Sequence, residues 1–180
     1  MRRTKTAITA SAVALVAALG TSAAVAADGT GDSAAANSRC TTGHLEVSLS
    51  SGGEAGSQSG MSHAGQFLRF RNTGTDTCVL YGYPGLGLEG TGHRSLSTDA
   101  EWGSTYFARN PGKHTVQLQS GDSAWADLVW TQTGAHPARS SYLEVTPPGA
   151  TTHRTVSFER SVDNGVLQVT ALSDSVPHIG

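Results

Sequence analysis

The chain has 180 residues, with 12 Lys and Arg against 14 Asp and Glu, and 37% of its residues are hydrophobic. That balance excludes the strongly basic footprint with which nucleic-acid binders neutralise phosphates. Beyond the N-terminal segment, no run is long or apolar enough to span a bilayer.

At the N-terminus, Arg2, Arg3 and Lys5 precede an Ala/Val/Leu-rich run from Ala7 to Leu19, and Ala24-Val25-Ala26 supplies the small residues that a signal peptidase admits. Charged start, short apolar middle and small-residue exit predict a secretory signal peptide over 1–26. The apolar run falls short of the roughly 20 residues of a membrane anchor. The Arg2-Arg3 pair leaves Sec and twin-arginine export both open. No cysteine stands at the cleavage point, so free secretion to the extracellular space is expected. Removal of the signal leaves nine basic residues against 14 acidic, a formal charge of −5 with histidines neutral. Residues 27–39 are small and polar and read as a flexible linker. Residues 40–180 suffice for a single domain.

Cys40 and Cys78 are the only cysteines, and in an oxidising compartment they are expected to pair. Closing that loop is worth roughly 4 kcal/mol in the entropic account, a large share of a typical stability of about 5–15 kcal/mol. The rival reading is two buried or reactive thiols, but neither sits in a C-x-x-C motif.

The domain then reads as β throughout. Leu45 to Leu49 and Leu68 to Arg71 alternate apolar and polar, the period of a half-buried strand. Asn72-Thr73-Gly74 has turn chemistry, since Asn tolerates and Gly freely adopts left-handed conformations. Cys78 to Tyr81 resumes extended structure, and Tyr83-Pro84-Gly85 suits a turn with Pro and Gly at its corners. Thr115 to Leu118 is a short strand. Ser120-Gly121-Asp122 turns the chain into Ala124 to Trp130, where Ala124, Ala126, Leu128 and Trp130 share a face. Tyr142 to Val145 stops at Pro147-Pro148, which cannot continue a ladder. Val156 and Phe158 mark another strand, and Asn164-Gly165, a strong hairpin signal, leads into Val166 to Ala171. Seven or eight strands without an amphipathic helix predict an all-β, immunoglobulin-like antiparallel β-sandwich.

The segment from Thr91 to Lys113 is less regular and carries Trp102, Tyr106 and Phe107 among Gly, Ser, Asn and Pro. Long loops in compact domains are often functional or mobile, so ligand contact is expected to concentrate there. Trp125 is out of phase with Ala124, Ala126 and Leu128 and shares its face with Asp127 and Val129. Either that face is a sheet edge or rim with Trp125 partly covered, or Trp125 joins Trp102 and Tyr106 in a shallow aromatic platform for glycan or peptide.

Three stretches carry a family resemblance. Phe67–Gly87, Ser120 to Trp130 and Leu143-Glu144-Val145-Thr146-Pro147-Pro148-Gly149 resemble domain of unknown function family 4232, found in secreted proteins and lipoproteins of actinobacteria. In that family a first cysteine precedes a Leu-x-Val strand, matched by Cys40 and Leu45-Glu46-Val47. An "frNtG" turn and a C-x-L-x-Gly-Tyr-Pro-Gly strand follow, matched by Phe70-Arg71-Asn72-Thr73-Gly74 and Cys78 to Gly85. The resemblance runs from about Cys40 to the end and implies an extracytoplasmic all-β domain with no established activity. It supplies no catalytic residues. Many members have a second cysteine pair in the C-terminal half; the comparable stretches here, around Pro137-Ala138-Arg139 and Glu159-Arg160-Ser161, have none.

Other motifs are weak. Gly121-Asp122-Ser123 echoes a serine-protease nucleophile, with His93 and Asp99 earlier in the required order. However, Ala124-Trp125 follows where two glycines belong, and a triad needs a base in reach and oxyanion donors. Gly85-Leu86-Gly87-Leu88-Glu89-Gly90 matches G-x-G-x-x-G, but Thr91-Gly92-His93 follows instead of a helix to hold pyrophosphate; a glycine-rich turn and edge strand is the expected structure. The histidines at 44, 63, 93, 114, 136, 153 and 178 are spread too widely to present two metal ligands from one element. No cofactor or metal is expected. The expected function is a secreted, monomeric, non-enzymatic module that binds an extracellular protein or cell-wall glycan. The alternatives are a small serine hydrolase using Ser123 and a secreted inhibitor acting through the loop around Trp102.

Overall fold

The computed structural model of the chain describes residues 38–51 and 58–180. The signal peptide expected over 1–26 and residues 27–37 of the expected linker lie outside the described residues. The described residues form twelve strands: β1 (Leu45–Ser50), β2 (Ser59–Gly60), β3 (His63–Asn72), β4 (Cys78–Tyr81), β5 (Gly85–Gly90), β6 (Arg94–Ser95), β7 (Asp99–Trp102), β8 (Thr115–Leu118), β9 (Ser123–Thr131), β10 (Pro137–Thr146), β11 (Arg154–Asp163) and β12 (Val166–Val169). One sheet has the order β1–β3–β9–β12–β7, with β2 added to β3. The second has the order β11–β10–β5–β6, and β4 pairs with β8.

Alternation along the strands builds the sandwich. From the first sheet, Leu68, Phe70, Ala124, Ala126, Leu128, Trp130, Leu167 and Val169 are buried in one core with Leu143, Val145, Phe158 and Val162 of the second. Trp130 on β9 meets Phe158 on β11 edge to face, with ring centroids 4.9 Å apart. The β4–β8 pair contributes Cys78, Leu80, Val116 and Leu118 to the same core. Each large apolar side chain buried there stabilises the fold by about 1.5–3 kcal/mol relative to exposure. Cys40 and Cys78 form a disulfide with Cα atoms 4.9 Å apart. Ser38 and Arg39, the end of the segment read as a linker, are bonded into the domain: Val79 donates to the Ser38 carbonyl and Cys40 donates to the Val79 carbonyl, both at 3.0 Å.

The eight expected strands are present, and β2, β5, β6 and β7 join them. Two of these change the reading of the sequence. Gly85–Gly90 is a full strand, paired with β10 on one side and β6 on the other. β7 crosses from the second sheet to the first and runs parallel to β12, the one parallel pair among the named strands. Trp102 therefore ends a strand and does not sit in a loop.

Two turns are made differently from their motifs. The bend before β5 lies at Gly82, whose φ of 97° is left-handed, and Gly85 already belongs to β5. Asn72 acts through its side chain: its amide donates to the carbonyls of Asp76 and Leu118 and its Oδ1 accepts from Gly74 N–H. At Asn164-Gly165 both residues have positive φ, 52° and 70°, as a type I′ hairpin turn requires. A Cβ on Gly165 would stand 2.1 Å from the Ser97 carbonyl oxygen, so this turn also admits the neighbouring segment.

Candidate functional site

β9 lies in the middle of the first sheet, between β3 and β12. The face carrying Trp125, Asp127 and Val129 is therefore no sheet edge. Asp127 and Val129 are 0% exposed, as is Phe67, the β3 residue directly opposite Asp127. What covers this face is irregular chain. Thr105 donates its hydroxyl hydrogen to Asp127 Oδ2 and accepts from the Phe107 and Ala108 amides at 3.3 and 2.9 Å. One hydroxyl thus closes the turn 105–108 and fastens it to the sheet. Gln58, 5% exposed, lies over Gly65, whose missing Cβ leaves room for the amide: a methyl there would stand 1.9 Å from Gln58 Oε1. Burial pushes the Asp127 carboxyl above its ordinary range, a tendency that the bond from Thr105 opposes.

The rest of the 103–111 segment is tied down by side chains. The Tyr106 amide donates to Gln168 Oε1 on β12 at 3.0 Å. Asn110 donates to the Tyr83 hydroxyl at 2.6 Å, accepts from the Ala171 amide at 3.0 Å, and its own amide donates to Ser104 Oγ.

On this frame, large aromatic rings face solvent. Trp102 is 60% exposed and stacks on Tyr83 with 5.6 Å between centroids. Tyr106 is 47% exposed, stacks on His63 at 4.1 Å, and takes Phe107 against its edge. Phe107 is half-buried. Trp125 stands apart in role: it is half-buried, Arg69 lies 5.4 Å from its ring centroid, and its backbone pairs with Ser173. Of the residues expected to touch a ligand, Trp102 and Tyr106 present open rings, and Trp125 is a covered member of a central strand.

A second polar cluster was not legible in the sequence. Glu89 on β5 and Glu144 on β10 share the solvent side of the second sheet, where their carboxyls interact. His93 Nδ1 stands 2.7 Å from Glu89 Oε2 and its ring stacks on Tyr142 at 4.1 Å; His153 Nε2 stands 3.4 Å from Glu144 Oε1. His93 reaches this place through a left-handed backbone, φ 58°. Its hydrogen bond holds Glu89 below the usual carboxylate range, while burial, together with the Glu89 carboxyl, pushes Glu144 up. The pair pins the β5–β6 turn and the 147–153 segment to the sheet. Widely spaced histidines thus meet on one carboxyl pair, because register places residues from β5 and β10 side by side.

The residues of the triad motif have other partners. Ser123 Oγ accepts from Arg69 Nε at 2.9 Å, His93 bonds Glu89, and Asp99 begins β7 opposite Val166. The free backbone donors of a helix N-terminus do not follow Gly85–Gly90; Glu89 and Gly90 pair directly with β6. Among the described residues, no group of three or more His, Cys, Asp or Glu side chains is placed to hold a metal ion. Among the same residues, no helix is long and apolar enough to cross a membrane.

Fold and disulfide together define an all-β, sandwich-like domain held by one covalent staple. The family described as Domain of unknown function (DUF4232) matches residues 40–173, and the chain belongs to it. No curated protein and no solved structure matches the chain.

Proposed function

We propose that this chain is a secreted, non-enzymatic binding module that engages a cell-wall glycan or a protein at or outside the cell envelope through the exposed rings of Trp102 and Tyr106. The observation that carries this reading is the pair of exposed rings, each held by a stacked partner: Trp102 at the end of β7 on Tyr83, and Tyr106 on His63, in the segment fastened through Thr105 and Asn110. Exposed aromatics with restricted motion lose little entropy on binding and offer an apolar face with a polar tip. Export is supported by the charged, apolar and small-residue order of residues 1–26 and by a disulfide of the kind that persists in oxidising compartments.

The test is retention of envelope components by the immobilised protein, followed by mass spectrometry. Trp102→Ala with Tyr106→Ala should lose the partner with unchanged circular dichroism; retention by that folded double variant would overturn the reading. Labelling by a fluorophosphonate that disappears in Ser123→Ala would show a hydrolase instead.

A further inference from the structure

Between the 104–111 segment and the stretch Ser173–Gly180 lies a cleft of about 620 Å³. The two walls are joined by a bridge between Ala108 and Ile179 and by the Gly180 amide, which donates to the Phe107 carbonyl at 3.0 Å. Small-molecule sites typically enclose about 300–1,000 Å³, mostly apolar, with a few polar groups that set orientation. This cleft has that composition. Phe107, Pro111, Val176, Pro177 and Ile179 supply apolar wall, and no Asp or Glu lines it.

Its lining side chains carry charge of one sign. Arg109 lines the cleft, is exposed, and has no partner among the described residues; His178 adds ring nitrogens on the opposite wall. One wall keeps to this sign, since residues 103–121 contain Arg109, Lys113 and His114 and no acidic residue; on the other wall the exposed Asp174, not itself a lining residue, stands between Ser173 and Ser175. A guanidinium without a counter-ion beside apolar wall complements a ligand with an apolar body and one anionic group, because a charged donor and acceptor make the stronger class of hydrogen bond.

We propose that this cleft binds a small anionic amphiphile, a single acyl or aryl body bearing one carboxylate or phosphate. The body lies against Phe107, Val176 and Ile179 and the anionic group meets Arg109. The inference goes beyond the proposed glycan- or protein-binding rings and adds a separate small-molecule site beside them.

Titration calorimetry on the full folded chain, below micellar concentrations, tests it with four probes sharing one chain length: dodecanoate, dodecyl phosphate, neutral dodecyl maltoside and dodecyltrimethylammonium. The two anions should bind about tenfold or more tightly than the neutral and cationic probes. Similar affinities for dodecanoate and dodecyl phosphate would mark charge alone as the determinant, and a gap between them identifies the headgroup; both results support the site. Arg109→Gln should remove the anion preference with the melting temperature unchanged, and Val176→Asp should abolish binding of every probe. Equal binding of neutral and anionic probes, or no binding of either anion, overturns the proposal. Trp102, which does not line the cleft, separates the two failures. If envelope material is still captured in a Trp102-dependent way while no amphiphile binds, the cleft proposal falls and the binding module stands; loss of both removes both.

Discussion

The two faces of the first sheet are covered in different ways. One face packs on a second sheet: Leu68, Phe70, Ala126 and Leu128 meet Leu143, Val145 and Phe158, apolar against apolar. The other also buries an aromatic ring completely, Phe67, but it meets irregular chain, Gln58 and the 103–108 segment fastened through Thr105 to the carboxylate of Asp127. A sheet covers a sheet with its own ladder already satisfied. An irregular segment brings unpaired backbone amides and needs side-chain partners for them. Hence one face is a dry core, and the other contains Asp127, Gln58 and Thr105.

The largest test of this contrast compares two phenylalanines. Phe70→Ala should cost about 3–5 kcal/mol in a single cooperative transition, because two packed sheets relax little around a cavity. Phe67→Ala should fall at or below the lower end of that range, with extra amide exchange confined to 104–108, since the covering segment can settle; equal costs and equal spread of exchange would erase the distinction. Next in size, replacing Cys40 and Cys78 together by Ala should lower stability by about 2–4 kcal/mol in denaturant titrations, leaving both faces assembled. A smaller effect is expected from Thr105→Val, which removes the donor to a buried carboxylate and the acceptor for two amides, at about 1–3 kcal/mol. Hydrogen exchange should then quicken at 105–109 and stay slow in β10 and β11; uniform quickening would show that the segment is no separate unit.

The smallest effect is in pH dependence. Burial raises the Asp127 carboxyl from its ordinary value of 3.8, so the folded chain holds this proton more tightly than the unfolded chain. Stability therefore declines as pH rises from the unfolded value to the raised folded one, and the loss persists above it. Asp127→Asn should flatten that slope and be at least as stable as the parent at neutral pH, read from urea midpoints across pH. A less stable Asn variant would mean that the ionised carboxylate's bond with Thr105 outweighs its desolvation.

Much of the first face was readable. Alternation at Leu68-Arg69-Phe70-Arg71 and at Ala124 to Trp130 names the residues that face the core, because strand geometry sends neighbouring side chains to opposite sides. Asn164-Gly165 was equally plain, since few dipeptides accept two positive φ values. The other face resisted: the Trp125, Asp127, Val129 row looks like an edge when the strand is taken alone, and only its placement between β3 and β12 makes it interior. The Glu89, Glu144, His93 and His153 cluster has the same cause, residues distant in sequence aligned by register.

By itself the sequence determined eight of the twelve strands, the cysteine pair and the core-facing side chains of those strands, all consequences of local periodicity and of having only two thiols. The tertiary structure decided what covers the second face, where Trp102 stands, and which polar groups meet. Those depend on strand order and on the crossing of β7 between sheets, and chain-local chemistry carries no record of which strands become neighbours.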